Sequence, residues 1–305
     1  MIGVFNVKIR IISAVVGMVV LVGVLFIPSP IAVVIMSSLL AAMAVYELLN
    51  NTGIMKQKGV LFTSVAFAGL EILAYSYVHY LRAHPLLEAN SYAVIGCLPL
   101  ILLGVYVLCL LLHVCILRSK ITWDAVQYTF LLTLYATVGF GSIALLRQVR
   151  NIGWWLVVLV LVIAWTSDTG AYFVGVLLGK HKMAPKISPK KSWEGFFGGW
   201  VISVLCAVLV FIIRFEIENS YGENIFYTLY MMLPVAFILA PLSVCGDLLA
   251  SIIKRKCGIK DFGNIMPGHG GVMDRFDSVV LIAPLLYLFV DNYSKIANWV
   301  ASVFF

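Results

Sequence analysis

Charge is what this sequence has least of. Of its 305 residues only 11% are Asp, Glu, Lys or Arg, and only 14 are acidic, where a soluble domain carries about 25% charged residues. Against 62% hydrophobic residues and a mean hydropathy of +1.04, that shortage excludes an ordinary soluble domain. The chain reads as a polytopic membrane protein, so its length does not convert into a number of globular domains. CxxC and His-paired cysteine spacings are also missing. The six cysteines (Cys97, Cys109, Cys115, Cys206, Cys245 and Cys257) lie mostly in apolar runs, where a buried reduced thiol is the default, and they are assigned no role. No repeat period and no low-complexity linker divides the chain.

What is present is a series of apolar runs of about 20 residues, each long enough to cross a bilayer as a helix. They fall at 11–27, 30–49, 60–80, 92–117, 126–146, 154–178, 196–213, 225–249 and 279–304, the last broken near Asp291. The first exceeds a signal-peptide core and IPSP is a poor cleavage site, so a retained span is expected. The fold class is therefore an all-α polytopic integral membrane protein of about nine transmembrane helices. With the N-terminus cytoplasmic, 16 of the 21 Lys and Arg residues fall in inside segments, as the positive-inside rule requires. The net charge of +7 then means cytoplasmic loops facing anionic lipid rather than a nucleic-acid partner. Residues 1–150 form plain N-terminal transmembrane helices with almost no embedded charge. Residues 151–305 form the expected catalytic region, with cytoplasmic loops at 179–195 and 250–277.

Polar chemistry concentrates in the second half, above all between Gly246 and Ser278. Asp247, Asp261, Asp274 and Asp277 sit there with Lys254, Arg255, Lys256, Lys260, Arg275 and His269, around the turn Pro267-Gly268-His269-Gly270-Gly271. Carboxylates for a divalent cation, cations for phosphates and a flexible backbone suit phosphoryl or nucleotidyl transfer. Asp274 and Asp277 are three apart and share a face in a helical turn; with Asp247 they could give a hard cation oxygen ligands. Asp277 or Ser278 could instead cap the last helix, where negative charge is favourable. Asp247 and Asp274 show no such structural alternative in the sequence. The glycine-rich turn offers backbone N–H groups for an anion nest.

Upstream, Asp168 in AWTSDTGAYFVG lies well inside its span, a costly depth that calls for a polar cavity or a partner. A structural hydrogen bond between helices is the plainer alternative. The loop GKHKMAPKISPKKSWEG (179–195) carries five lysines, with Ser188, Lys190 and Lys191 next to prolines that stiffen it. A solvated basic loop near headgroups is the simpler reading, and phosphate binding from nucleotide or lipid the sharper one. GVLLGK does not have Walker A spacing.

These residues resemble the signature of the phosphatidate cytidylyltransferases (CDP-diacylglycerol synthases). Ser251-x-Ile253-Lys254-Arg255, Lys260-Asp261-x-Gly263 and Pro267-x-His269-Gly270-Gly271-x-x-Asp274-Arg275-x-Asp277 carry the resemblance, together with WTSDTGAYFVG and the lysine loop. It covers residues 165–278. Ala250 departs from it, standing where the family's GDLxES has glutamate, and Met266 replaces a leucine. The resemblance implies transfer of CMP from CTP to phosphatidic acid, giving CDP-diacylglycerol and pyrophosphate. Asp247, Asp274, Asp277, Lys254, Arg255 and Arg275 would be catalytic. Ser188, Lys190, Lys191, Ser251, Lys260, Asp261, His269, Gly270, Gly271 and Asp168 would bind substrate. It also implies Mg²⁺ on Asp247, Asp274 and Asp277, with a second cation as an option, and a homodimer. The setting would be the bacterial inner (plasma) membrane, with the active site facing the cytoplasm. The competing readings are a CTP-dependent enzyme on an archaeol-type or polyprenol lipid, and an anion or lipid transporter. A transporter would be expected to show inverted repeats and interrupted helices in matching halves, which the sequence does not display.

Overall fold

The computed structural model describes residues 2–83, 94–116, 121–218, 225–265 and 270–293. Among these residues, nine helices and one small hairpin follow in chain order. They are α1 (Ile2–Phe26), α2 (Ile31–Tyr46, continued by a π-helical turn Glu47–Asn51), α3 (Lys58–Ala83), α4 (Leu98–Ile116), α5 (Trp123–Gln148), α6 (Gly153–Leu178), β1 (Lys182–Ala184), β2 (Ser188–Ser192), α7 (Trp193–Glu218), α8 (Ile225–Lys256) and α9 (Met273–Asp291). Seven of the helices among the described residues are long and apolar enough to cross a membrane, against the nine spans expected. At the first expected span only Val15–Phe26 is counted, as a shorter apolar helix. The last, α9, ends at Asp291, and the run beyond Tyr293 lies outside the described residues. Helix is the dominant form because a spanning segment must satisfy its own backbone where no water can.

Two corrections bear on the site. The loop 179–195 is not irregular: Lys182 pairs with Ser192 and Ala184 with Ser188 in an antiparallel hairpin. The loop 250–277 is shorter than expected, because α8 runs on to Lys256 and α9 already starts at Met273. Asp274 and Asp277 are thus in the first two turns of a helix, and neither Asp277 nor Ser278 is its N-cap.

The chain forms two compact units, Met1–Arg150 with Ile252–Asp277, and Asn151–Ser251 with Ser278–Phe305. In the first, α2 packs on α3 and α5, and α3 also on α4. Phe140 of α5 is fully buried and its ring centroid lies 5.5 Å from that of Phe276. Two of the few charges in the N-terminal half lie within these helices. Glu47 is fully buried and Glu71 sits midway along α3.

In the second unit α6 and α7 run in close contact. A Cβ on Gly199 would lie 2.4 Å from the Ser167 carbonyl oxygen, so only glycine allows this approach. Ser203 Oγ donates to the Ile163 carbonyl at 3.0 Å across the same contact. Helix α8 carries Pro234 and Pro241. Proline has no N–H, so Pro241 leaves the Phe237 carbonyl without its helical donor, and Trp200 Nε1 of α7 donates to that carbonyl at 2.8 Å. Trp200→Phe, which removes the donor and trims the indole to a single ring, is expected to lower stability by about 1 kcal/mol for the lost hydrogen bond, with the packing loss of the smaller ring added to it. In the Pro241→Ala background, where residue 241 supplies the amide, the same change should cost about 1 kcal/mol less, leaving only the packing loss. Thermal unfolding of the four proteins in detergent reads this coupling.

Candidate active site

In the second unit the hairpin delivers the lysine loop to a defined place. Trp193 N donates to the His181 carbonyl at 2.9 Å. The Glu194 carboxylate, in the first turn of α7, accepts from His181 N at 3.2 Å and meets His181 Nδ1 at 2.6 Å. Ser192 is buried, and its Oγ accepts from Gly195 N at 3.2 Å as the cap of α7. The prolines Pro185 and Pro189 therefore belong to an ordered turn and strand, not merely a stiffened tether.

That hairpin closes one wall of a cavity of about 640 Å³, a size suited to a small ligand. Asp168, Lys182, Ser188, Lys190, Lys191 and Asp247 line it. Four of the residues expected from sequence, Asp168, Ser188, Lys190 and Lys191, are thus brought together with a fifth, Asp247. Lys191 pairs with Asp247 Oδ2, and its Nζ is sealed from solvent. An ammonium has three donors, and no further acceptor among the described residues takes them up. Asp168 is attracted by Lys191 and repelled by Asp247. The cavity therefore joins two carboxylates to a cation with unspent donors.

The first unit holds the other expected cluster. Asp274 accepts from three donors: Lys254 Nζ to Oδ1 at 2.8 Å, and Phe262 N and Gly271 N to Oδ2 at 2.7 and 3.0 Å. Lys254, in the last turn of α8, also lies 5.2 Å from the Phe262 ring centroid. Asp274 thus has a structural role the sequence did not reveal. Asp277 is buried, and its main-chain carbonyl accepts from Tyr135 OH at 3.4 Å. Arg255, Lys260, Asp261 and Arg275 are exposed, while Ser251 is half-buried. His269 lies outside the described residues. Gly270 adopts the left-handed φ of +90°, as expected for the turn.

Of the turn expected to form an anion nest, Pro267, Gly268 and His269 lie outside the described residues. The amides of Gly271, Val272 and Met273 already have carboxylate acceptors. Gly271 N donates to Asp274, and Val272 N and Met273 N each donate at 3.0 Å to Glu47. Glu47 is the residue that sequence reading missed. Its signal was a lone carboxylate at the end of an apolar run, with no local motif to mark it.

Among the described residues no group of three or more His, Cys, Asp and Glu side chains is gathered around a metal-sized point. The donor chemistry nonetheless fits a hard dication. Asp247 and Asp274 each already accommodate a positive charge, from Lys191 and Lys254. Mg²⁺ commonly takes only one or two carboxylates, leaving its other positions to water and substrate phosphates.

Comparison with known proteins agrees with the chemistry of these residues. The chain is similar to a phosphatidate cytidylyltransferase of Bacillus subtilis (strain 168), 36% identical over 188 residues, which cover 62% of this chain and 66% of that protein. It is 39% identical over 168 residues to one from Staphylococcus epidermidis (strain ATCC 35984), covering 55% of this chain and 61% of the relative. With one from Rickettsia bellii (strain RML369-C) the identity is 46% over 140 residues, 46% of this chain and 59% of the relative. In each case the match spans less than two-thirds of the relative's length. A profile described as the cytidylyltransferase family matches residues 8–293, nearly the whole sequence. On that match the chain belongs to the cytidylyltransferase family.

Proposed function

We propose that the protein is a phosphatidate cytidylyltransferase, which joins CTP and phosphatidic acid into CDP-diacylglycerol with release of pyrophosphate. The observation that carries this reading is the cavity in which Asp168 and Asp247 stand with Lys190, Lys191 and Ser188, in a chain of this family. A phosphate oxygen of phosphatidate attacks the α-phosphorus of CTP. The bond from that phosphorus to the oxygen bridging to the β-phosphorus breaks, and pyrophosphate carries the released charge away. The attacking oxygen belongs to the lipid, so no protein nucleophile is needed.

Mg²⁺ would be held by Asp247, Asp274 and Asp277, with Asp168 among the substrate contacts; when bound it neutralises phosphate charge. Lys190 and Lys191 would bind and orient the triphosphate from the hairpin, their charges aimed at oxygens that gain charge as the bond breaks. Lys254, Arg255, Lys260 and Arg275 would act on the transferring and leaving phosphates, and Ser251, Asp261, His269 and the Gly270-Gly271 turn would complete the substrate contacts. The acyl chains would stay in the bilayer. A cytoplasmic N-terminus, an inner-membrane location, a cytoplasm-facing site and a homodimer belong to the same proposal. The cytoplasmic N-terminus rests on the positive-inside count, which puts 16 of the 21 Lys and Arg residues in inside segments.

The direct test is pyrophosphate release from CTP by the purified protein in lipid vesicles. Release is expected only when phosphatidate and Mg²⁺ are both present. Folded protein that releases none would overturn the reading.

A further inference from the structure

The π-helical turn at the end of α2 holds the signature loop from beneath. Glu47 has no exposed surface. Its Oε1 accepts from Val272 N and its Oε2 from Met273 N, both at 3.0 Å, so the carboxylate grips the first turn of α9 with both oxygens. Four residues on, Asn51 Nδ2 donates to the Phe262 carbonyl at 2.7 Å. Phe262 N in turn donates to Asp274, which closes a ring of contacts around the loop. Two glycines make room for the grip. A Cβ on Gly263 would lie 2.5 Å from Glu47 Oε1, and one on Gly271 would lie 2.4 Å from Oε2.

Burying a carboxylate is costly unless its lone pairs are met. No salt bridge to Glu47 is present among the described residues. Its compensation is instead the positive N-terminal end of α9 and two of the amides that a helix start leaves without partners. A buried negative charge in an otherwise apolar helix contributes little that a packed leucine would not, unless the shape of this loop matters.

We infer that Glu47 is a positioning residue of the active site. By fixing the amides of Val272 and Met273 it sets the start of α9, and with it the placement of Asp274 and Arg275, the residues next along the chain. It touches no substrate and acts through the backbone. This inference rests on the cytidylyltransferase reading for its catalytic consequence, but not for the pinning itself.

The test combines two measurements on full-length protein. Glu47→Gln keeps the size of the side chain but replaces one acceptor oxygen with an NH₂ that faces an N–H donor. Hydrogen exchange of the segment 270–276 should quicken by about tenfold or more, since a charged hydrogen bond there is lost, while α3 and the later turns of α9 keep their rates. In pyrophosphate release, kcat should fall by about 100-fold, the scale of a small misplacement of reacting groups, with KM for CTP within about threefold of the original because no ligand contact is removed. Gly263→Ala, whose Cβ would lie 2.5 Å from Glu47 Oε1, displaces the carboxylate without changing it and should reproduce both effects, which covers the case in which Glu47→Gln does not fold. Unchanged exchange at 270–276, faster exchange throughout α2–α5, or an unchanged kcat would each overturn the inference. If the unsubstituted protein releases no pyrophosphate, the enzymatic reading fails, and the exchange measurement still decides whether Glu47 pins the loop.

Discussion

Asp274→Asn is expected to lower turnover by about 100-fold or more and to destabilise the protein as well. Asparagine has one acceptor oxygen, whereas Asp274 uses two, one for Lys254 Nζ and one for the amides of Phe262 and Gly271. Whichever way the amide turns, its NH₂ faces a donor. The Lys254 and Asp274 side chains are only 12% and 4% exposed, and breaking a buried pair by removing one partner typically costs about 3–5 kcal/mol. Read from sequence alone, this substitution would have left the fold untouched, because Asp274 had no visible structural task. The double variant Lys254→Met with Asp274→Asn separates the two losses. Removing the stranded ammonium should recover much of the melting temperature and none of the turnover. Recovery of pyrophosphate release in the double variant would show that the two residues serve only the fold.

The hairpin lysines should divide just as sharply. Lys191→Ala is expected to lower turnover by about 100-fold, the scale of losing one preorganised charge at a reacting phosphate. It also leaves Asp247 without its counter-charge in the cavity. Lys182→Ala removes an exposed side chain from the rim of the same cavity, where solvent screens a single charge, and should cost less than about threefold. Steady-state pyrophosphate release under matched lipid and CTP conditions compares them. Equal losses would mean that the loop acts as diffuse charge, and the pairing of Lys191 with Asp247 would carry no catalytic meaning.

The two substitutions mark where sequence was informative and where it was not. Asp168, Ser188, Lys190 and Lys191 were singled out by type and neighbours, and one cavity holds them all together with Asp247. The same kind of reading put a loop where α8 and α9 run on for additional turns. Polar residues such as Lys254 and Asp274 look like loop composition, yet they extend helices as readily when they have partners at the helix ends. The hairpin was likewise hidden, since two prolines and five lysines in 17 residues are a poor strand signal, and its registration depends on His181, Ser192 and Glu194 meeting across the turn.

What the sequence by itself determined is the membrane character, nearly all of the long helices and the residue types of the site. These follow from local causes: an apolar run must close its own hydrogen bonds in lipid, and a costly intramembrane charge announces itself by position. Only the tertiary structure decided which carboxylate meets which cation, that Gly271 and the two residues after it give their amides to protein carboxylates, and that Glu47 grips a helix 225 residues away. Such pairings depend on distances across packed helices. Periodicity and composition along the chain carry no record of them.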